Sequence, residues 1–209
     1  MTIPAAAGTA PAAQPGEWAA DLAACRVRFT VRNFALRSVT GQIPIVSAGV
    51  TIGPDGQPAR VRAELDARGI DTGHQRRDND LRGPRFLATG RWPAITFQAS
   101  SIQASGAGWT IDGTLTVKDC HCPVRLNVSD PAIPPGDPVA PVSLRATARL
   151  DRRSAGVNAG PAFLIGHTIS LSLAMRFRPP ATIPGTSGGP PPGTKAQRGR
   201  DGREVAPEA

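Results

Sequence analysis

The sequence predicts an all-β domain, an eight-stranded antiparallel up-and-down barrel with a short helix in one connection. Three observations predict it. Apolar and polar residues alternate with period two in eight separate segments, as strands do when one face is buried and the other is in water. Glycine- and proline-rich turns separate many of these segments, and regular spacing of this kind indicates a sandwich or a barrel. An open eight-stranded sheet would expose unpaired edges, which closure into a barrel removes.

The elements follow in chain order. Residues 1–16 are rich in Ala, Pro and Gly and are expected to be a disordered tail. The structured domain is expected over 17–178. In segment 26–34, Val27, Phe29 and Val31 share one face and Arg26, Arg28, Thr30 and Arg32 the other. Strands are expected next at 45–52 and at 60–67, where Val61, Ala63 and Leu65 alternate with Arg60, Arg62 and Glu64. Residues 71–92 break the pattern. They are polar and carry glycines, and a short helix is expected over about 74–82, capped by Asp71 or Thr72 with Leu81 and Phe86 packing inward. A long irregular connection of this kind is often a lid or a mouth-closing loop. Alternation resumes at 94–102 (Ile95, Phe97), 109–117 (Ile111, Leu115, Val117), 124–128 (Val124, Leu126, Val128), 144–150 and 169–177 (Ile169, Leu171, Leu173). Turns are marked at Gly53–Gly56, Ser105–Gly108 and Pro134–Pro138. Residues 179–209 repeat the composition of the first tail and are expected to be disordered.

Composition narrows the function. With 209 residues, 40% of them hydrophobic and 19% charged, the chain has room for one core and is not disordered as a whole. The net charge of +8 comes almost entirely from arginine, since Lys118 and Lys195 are the only lysines. The arginines are scattered along strands and form no polybasic block, so a nucleic-acid partner is not expected, while transient contact with an anionic membrane surface fits. No stretch approaches the roughly 18 apolar residues of a membrane-spanning helix. The N-terminus lacks a basic start followed by an apolar run, so the cytoplasm is the expected compartment.

Reactive chemistry is sparse. Cys120-His121-Cys122 is the best metal candidate, but strand geometry sends His121 to the face opposite the two cysteines, and Cys25, His74 and His167 stand alone in the sequence. The segment reads more simply as a hairpin between the 109–118 and 123–129 strands. No nucleophile elbow, acid/base carboxylate pair or phosphate loop is present. No catalytic residue, metal or cofactor is expected, and the protein is read as a binder and not an enzyme.

The most specific pattern is Ile70-Asp71-Thr72-Gly73, then Arg77-Asp78, Leu81, Phe86, Trp92-Pro93 and Ile95-Thr96-Phe97. Gly113-Thr114-Leu115-Thr116-Val117, Pro123-Val124 and Asp151-Arg152-Arg153-Ser154 with Gly156 follow. In order and spacing these resemble the YceI-like family of polyisoprenoid-binding, lipocalin-like bacterial proteins, from about Asp21 to Phe177. The resemblance implies a lipocalin-like barrel whose elongated apolar cavity holds a polyprenyl or quinone-type lipid. Ala24, Asn33 and Asp80 stand where histidines are common in the family pattern, which puts head-group contacts through those imidazoles in doubt without touching the barrel. Within the inward set, Phe29, Val31, Leu65, Phe86, Phe97, Ile111, Leu126 and Leu171 are the candidate lipid contacts. Arg77 and Asp78 are the candidate polar mouth, with the alternative that they satisfy loop backbone groups or pair with a neighbour. Asp151 and Arg152 carry the same alternative. A homodimer is compatible with this reading. The rival reading is a filled barrel serving as a protein-interaction or structural module, since eight strands can also be packed solid by their own side chains.

Overall fold

The computed structural model describes residues 13–33, 37–106, 108–132, 137, 140–158 and 165–180. Most of both expected tails, Phe34 and all of the Pro134–Pro138 turn except Asp137 lie outside the described residues.

Ten strands are present among the described residues: β1 (Gly16–Ala20), β2 (Arg26–Asn33), β3 (Arg37–Gln42), β4 (Ile45–Ile52), β5 (Pro58–Asp66), β6 (Ala94–Ser105), β7 (Gly108–Val117), β8 (Cys120–Ala132), β9 (Val142–Asp151) and β10 (Ile165–Arg178). They fill eight positions of a closed antiparallel barrel, because two positions are each taken by a broken strand. β2 pairs with the first part of β10, and β1 with its last residues, Ala20 opposite Phe177. Between them the chain makes a turn in which the Ala24 N–H donates to the Asp21 carbonyl at 2.9 Å. β3 pairs with β2, and β4 pairs with both β1 and β5. Ile43 and Pro44 separate β3 from β4. The Ile43 N–H still reaches the Val27 carbonyl at 3.1 Å, and the Pro44 carbonyl accepts from Asp66 N at 2.9 Å, so the broken strand keeps its place. From β5 to β10 each strand pairs with the next.

β1 and β3 fall outside the strands that the sequence pattern predicts, for a physical reason. β1 has one large apolar residue, Trp18, which is 2% exposed. In β3 the inward positions are Val39 and Gly41. A side chain at Gly41 would meet the Phe29 ring at 2.5 Å, so a ring from β2 occupies the space that a β3 side chain would fill. Alternation in β3 is therefore written partly in the neighbouring strand.

Between β5 and β6 lie a 3₁₀ turn, Ala67–Gly69, and the helix α1, Gln75–Arg82. The helix sits where it is expected, but its cap differs. His74 is the N-cap, its Nδ1 accepting from Arg77 N at 3.4 Å. Asp71 is extended instead, because its N–H and carbonyl pair with Gln42 of β3 at 3.0 and 2.8 Å. Its carboxylate accepts from Gly73 N and from Gln42 Nε2, and these bonds hold its pKa below the ordinary value. The connection thereby covers the edge of β3 that β5 does not reach. Among the described residues no helix is long and apolar enough to cross a membrane.

Candidate functional site: the barrel lumen

Alternation sends every second strand residue into the barrel, and these side chains do not fill it. A chamber of about 350 Å³ lies at the end capped by α1. Its walls come from β2 (Val27, Phe29, Val31), β5 (Leu65), β6 (Ile95), β7 (Leu115, Val117) and β10 (Ile169, Leu171), with Leu81, Phe86 and Leu87 from the capping segment. A second space of about 110 Å³ continues down the axis past Phe97, Ile111 and Leu126. A third, of about 80 Å³, lies at the far end by Trp18 and Trp109. Neighbouring spaces share walls. Val27, Leu65, Ile95, Leu115 and Leu171 line the first two, and Val50, Val61, Ile111, Val128, Leu144 and Phe177 line the last two. Together they form one tapering apolar column. This geometry explains why Val31, Leu65, Leu115 and Leu171 point inward yet are only half-buried: they border open space.

All eight candidate lipid contacts lie on this column. Phe29, Val31, Leu65, Phe86 and Leu171 line the wide chamber, and Phe97, Ile111 and Leu126 line the narrower part. Ile70, Leu87 and Val157 also line the chamber. They sit in irregular segments, where no periodicity announces them.

The polar groups in the chamber wall are Arg77, Asp80 and Arg152. The Arg77 guanidinium donates from Nε to Thr72 Oγ1 at 2.7 Å and from a terminal nitrogen to the Thr72 carbonyl at 2.9 Å. Asp78, expected at the mouth, does not line the chamber. It is 5% exposed and accepts from the Thr72 N–H at 3.0 Å and from the Thr72 hydroxyl. The carboxylate is used up in pinning the first turn of α1 to the preceding loop, because a buried carboxylate needs donors and these are the nearest. Arg77 completes the same clamp while staying in the wall. Asp80, where the family pattern commonly has a histidine, is exposed at the chamber wall.

Arg152 is 3% exposed and donates to the carbonyls of Gly166 (3.2 Å) and Val157 (2.6 Å). It therefore orders the loop after β9. Asp151 pairs with Arg153, whose side chain and backbone N–H hold its carboxyl far below the usual range. Two further ties fasten the cap. Arg82 donates to the carbonyls of Arg68 and Ile70, each at 2.7 Å, and Lys118 donates to those of Phe86 (3.1 Å) and Gly156 (2.7 Å).

The Cys120–Cys122 segment opens β8 in a hairpin with β7, Val117 opposite Cys120 and Thr116 opposite His121. Cys122 is 1% exposed, Cys120 half-buried and His121 exposed on the other face. Burial, with the neighbouring Cys120 as a lesser cause, pushes the Cys122 thiol pKa up. Among the described residues no three His, Cys, Asp or Glu side chains converge on a metal-sized site.

Comparison with known proteins agrees with this architecture. Among solved structures, BcnA of Burkholderia cenocepacia superposes with a TM-score of 0.64 at 19% identity, over 75% of this chain and 98% of that one. A polyisoprenoid binding domain from Saccharophagus degradans, described as implicated in plant cell wall breakdown, superposes with a TM-score of 0.58 at 14% identity, over 78% and 98% of the two chains. At these identities the likeness shows the fold. In sequence, a UPF0312 protein of Yersinia pestis (strain Pestoides F) is 34% identical over 74 residues, which is 34% of this chain and 38% of that protein. A Yersinia enterocolitica relative is 33% identical over 67 residues, 35% of its length. Such alignments span little more than a third of the relatives. The sequence model of the YceI-like domain, by contrast, matches residues 18–177, nearly the whole barrel, and the chain belongs to that family.

Proposed function

We propose that the protein is a carrier for a long apolar chain of the isoprenoid class, a polyprenyl or quinone-type lipid, held in the lumen with its tail directed down the barrel axis. The observation that carries this reading is the open apolar chamber of about 350 Å³, within the size range of small-molecule sites. Burying hydrocarbon there gains about 0.8 kcal/mol per methylene. The polar groups Arg77, Asp80 and Arg152 all belong to the capped end, so a polar head is placed there and the tail in the narrower column. The polyisoprenoid-binding name of a structural neighbour supports the same class of ligand. The reading is of a binding protein and not an enzyme, and the engagement of Arg77 and Arg152 in holding loops supports it. The rival reading of a solidly packed barrel is disfavoured by the same open chamber.

The test is a binding titration with a fluorescent prenol, on the native protein and on Val31→Trp. Val31 is half-buried and lines the wide chamber, so an indole there occupies ligand space. The native protein is expected to bind one prenol per chain, and the variant to lose at least tenfold in affinity while melting cooperatively. Equal binding by both would place the ligand elsewhere.

A further inference from the structure

The outer wall of the barrel is electrically lopsided. On one side two of its arginines are matched: Arg62 pairs with Glu17, and Arg125 pairs with Asp112 at 2.7 Å. On the wall built from β9, β10 and β2, Arg178 pairs with Asp21 at 2.8 Å, but five other arginines have no such match. Arg26, Arg28 and Arg32 of β2, Arg149 of β9 and Arg176 of β10 are exposed, and none has an ion pair among the described residues. β2, β3 and β10 contain no acidic residue, and the one in β9, Asp151, is held by Arg153.

Register fixes how these arginines are arrayed. Thr147, Ser172, Arg28 and Gln42 form one row across four strands, and Arg149, Ser170, Thr30 and Thr40 form the next. Each row thus carries one arginine, on β2 in the first and on β9 in the second, with a serine of β10 between the two strands. By strand geometry the set runs about 20 Å along β2 and about 10 Å from β9 to β2. Uncompensated guanidinium groups at this spacing repel one another and are suited to bidentate phosphate contacts, with hydroxyls between them.

We infer that this β9–β10–β2 wall is a docking surface for an anionic bilayer. A phosphate-bearing polyanion matches its charge, and two observations favour a lipid surface over nucleic acid. Apart from Asp151, held by Arg153, the outward positions hold arginine and small residues and no aromatic side chain on which a base could stack. The wall also rises to the rim of the wide chamber, where Arg32 and Arg149 are close neighbours in the strands of the lining residues Val31 and Leu150. The choice of a bilayer rests in part on the carrier reading, since an apolar cargo is collected from or delivered to a membrane.

The experiment is flotation of the full chain, with no prenol added, on vesicles of phosphatidylcholine alone or with about a third phosphatidylglycerol, at low and at raised salt. Two triple variants remove the same charge: Arg28→Ser/Arg149→Ser/Arg176→Ser on this wall, and Arg60→Ser/Arg62→Ser/Arg125→Ser on the opposite one. A basic residue near such a surface contributes about fivefold to partitioning. The native chain is expected to bind only the anionic vesicles and to release with salt. The first triple should lose tenfold or more, its all-Lys counterpart should retain binding, and the second triple should stay within about threefold of native. No binding to anionic vesicles, equal loss in both triples, or tighter binding to a short single-stranded oligonucleotide at the same salt would overturn the inference. The vesicle result is read on the unloaded protein, so a failure to bind prenol would contradict the carrier reading and leave this one standing.

Discussion

Phe29 and Gly41 face each other across β2 and β3, whereas the Phe97 ring reaches diagonally over Gly113 of β7, Phe97 itself pairing with Leu115. In both places the ring occupies space that a side chain of the neighbouring strand would otherwise fill. The two glycines differ in what surrounds them. A methyl group at Gly41 meets the tip of the Phe29 ring at 2.5 Å and the Thr72 methyl at 2.7 Å, both ends of side chains, and the ring tip can swing into the chamber. At Gly113 it also meets the Gln98 backbone carbonyl at 2.5 Å, which cannot swing. Gly113→Ala is therefore expected to lose stability by about 1–3 kcal/mol in urea unfolding. Gly41→Ala should lose less stability but bind prenol more weakly, because its ring is driven into ligand space. Equal stability losses with unchanged binding would show that the rings do not set the width of the lumen. Among the cysteines, Cys122 is sealed in the core with a raised thiol pKa, while Cys120 is half-buried. Alkylation of the native protein at neutral pH should label Cys120 first, and Cys122 only on unfolding, as peptide mass mapping will show.

The element that closes the lumen is held by polar ties and not by helix propensity. α1 is eight residues long, too short to persist alone. Thr72, Arg77 and Asp78 clamp its first turn, and Arg82 ties its last turn to the 3₁₀ segment. Asp78→Ala leaves two donors of Thr72 without their acceptor, so it should lower stability by about 1–3 kcal/mol. The loss should appear as faster amide exchange over 72–87, with the β6–β7 hairpin unchanged. Uniform acceleration throughout the barrel would mean that the cap and barrel open together. The same segment shows where the sequence is legible and where it is not. Phe29, Leu65, Phe97, Ile111, Leu126 and Leu171 could be placed in the lumen because period two is explicit in their strands. Ile70, Leu87 and Val157 could not, since loops carry no period. β1 and β3 carry no legible alternation because one has a single large apolar residue and the other shares its inner face with Phe29. The Asp71 cap failed because that residue bridges to Gln42, a contact about thirty positions away in sequence that local reading cannot reach.

At the scale of the molecule, the carrier reading gives the tapering lumen a size limit. An apolar cavity of about 150 Å³ takes up one benzene, or about 25 Å³ per carbon. On that basis the wide chamber holds about 14 carbons, and the whole column, with its further spaces of about 110 and 80 Å³, about 20. Affinity in a prenol series should rise with each isoprene unit up to about 15–20 carbons and then level off, because further methylenes find no dry wall. Calorimetric titration across chain lengths checks this, and a continued rise to about 40 carbons would mean that the barrel widens to admit cargo. The central claim is that the lumen itself holds the chain. It is tested most directly by photolabelling with a prenol of about 15 carbons carrying a diazirine near its tail, followed by peptide mapping. The account predicts labels on Phe97, Ile111, Leu126 and their lumen neighbours, abolished by excess unlabelled prenol. Labels confined to the outer wall, or insensitive to the competitor, would contradict it.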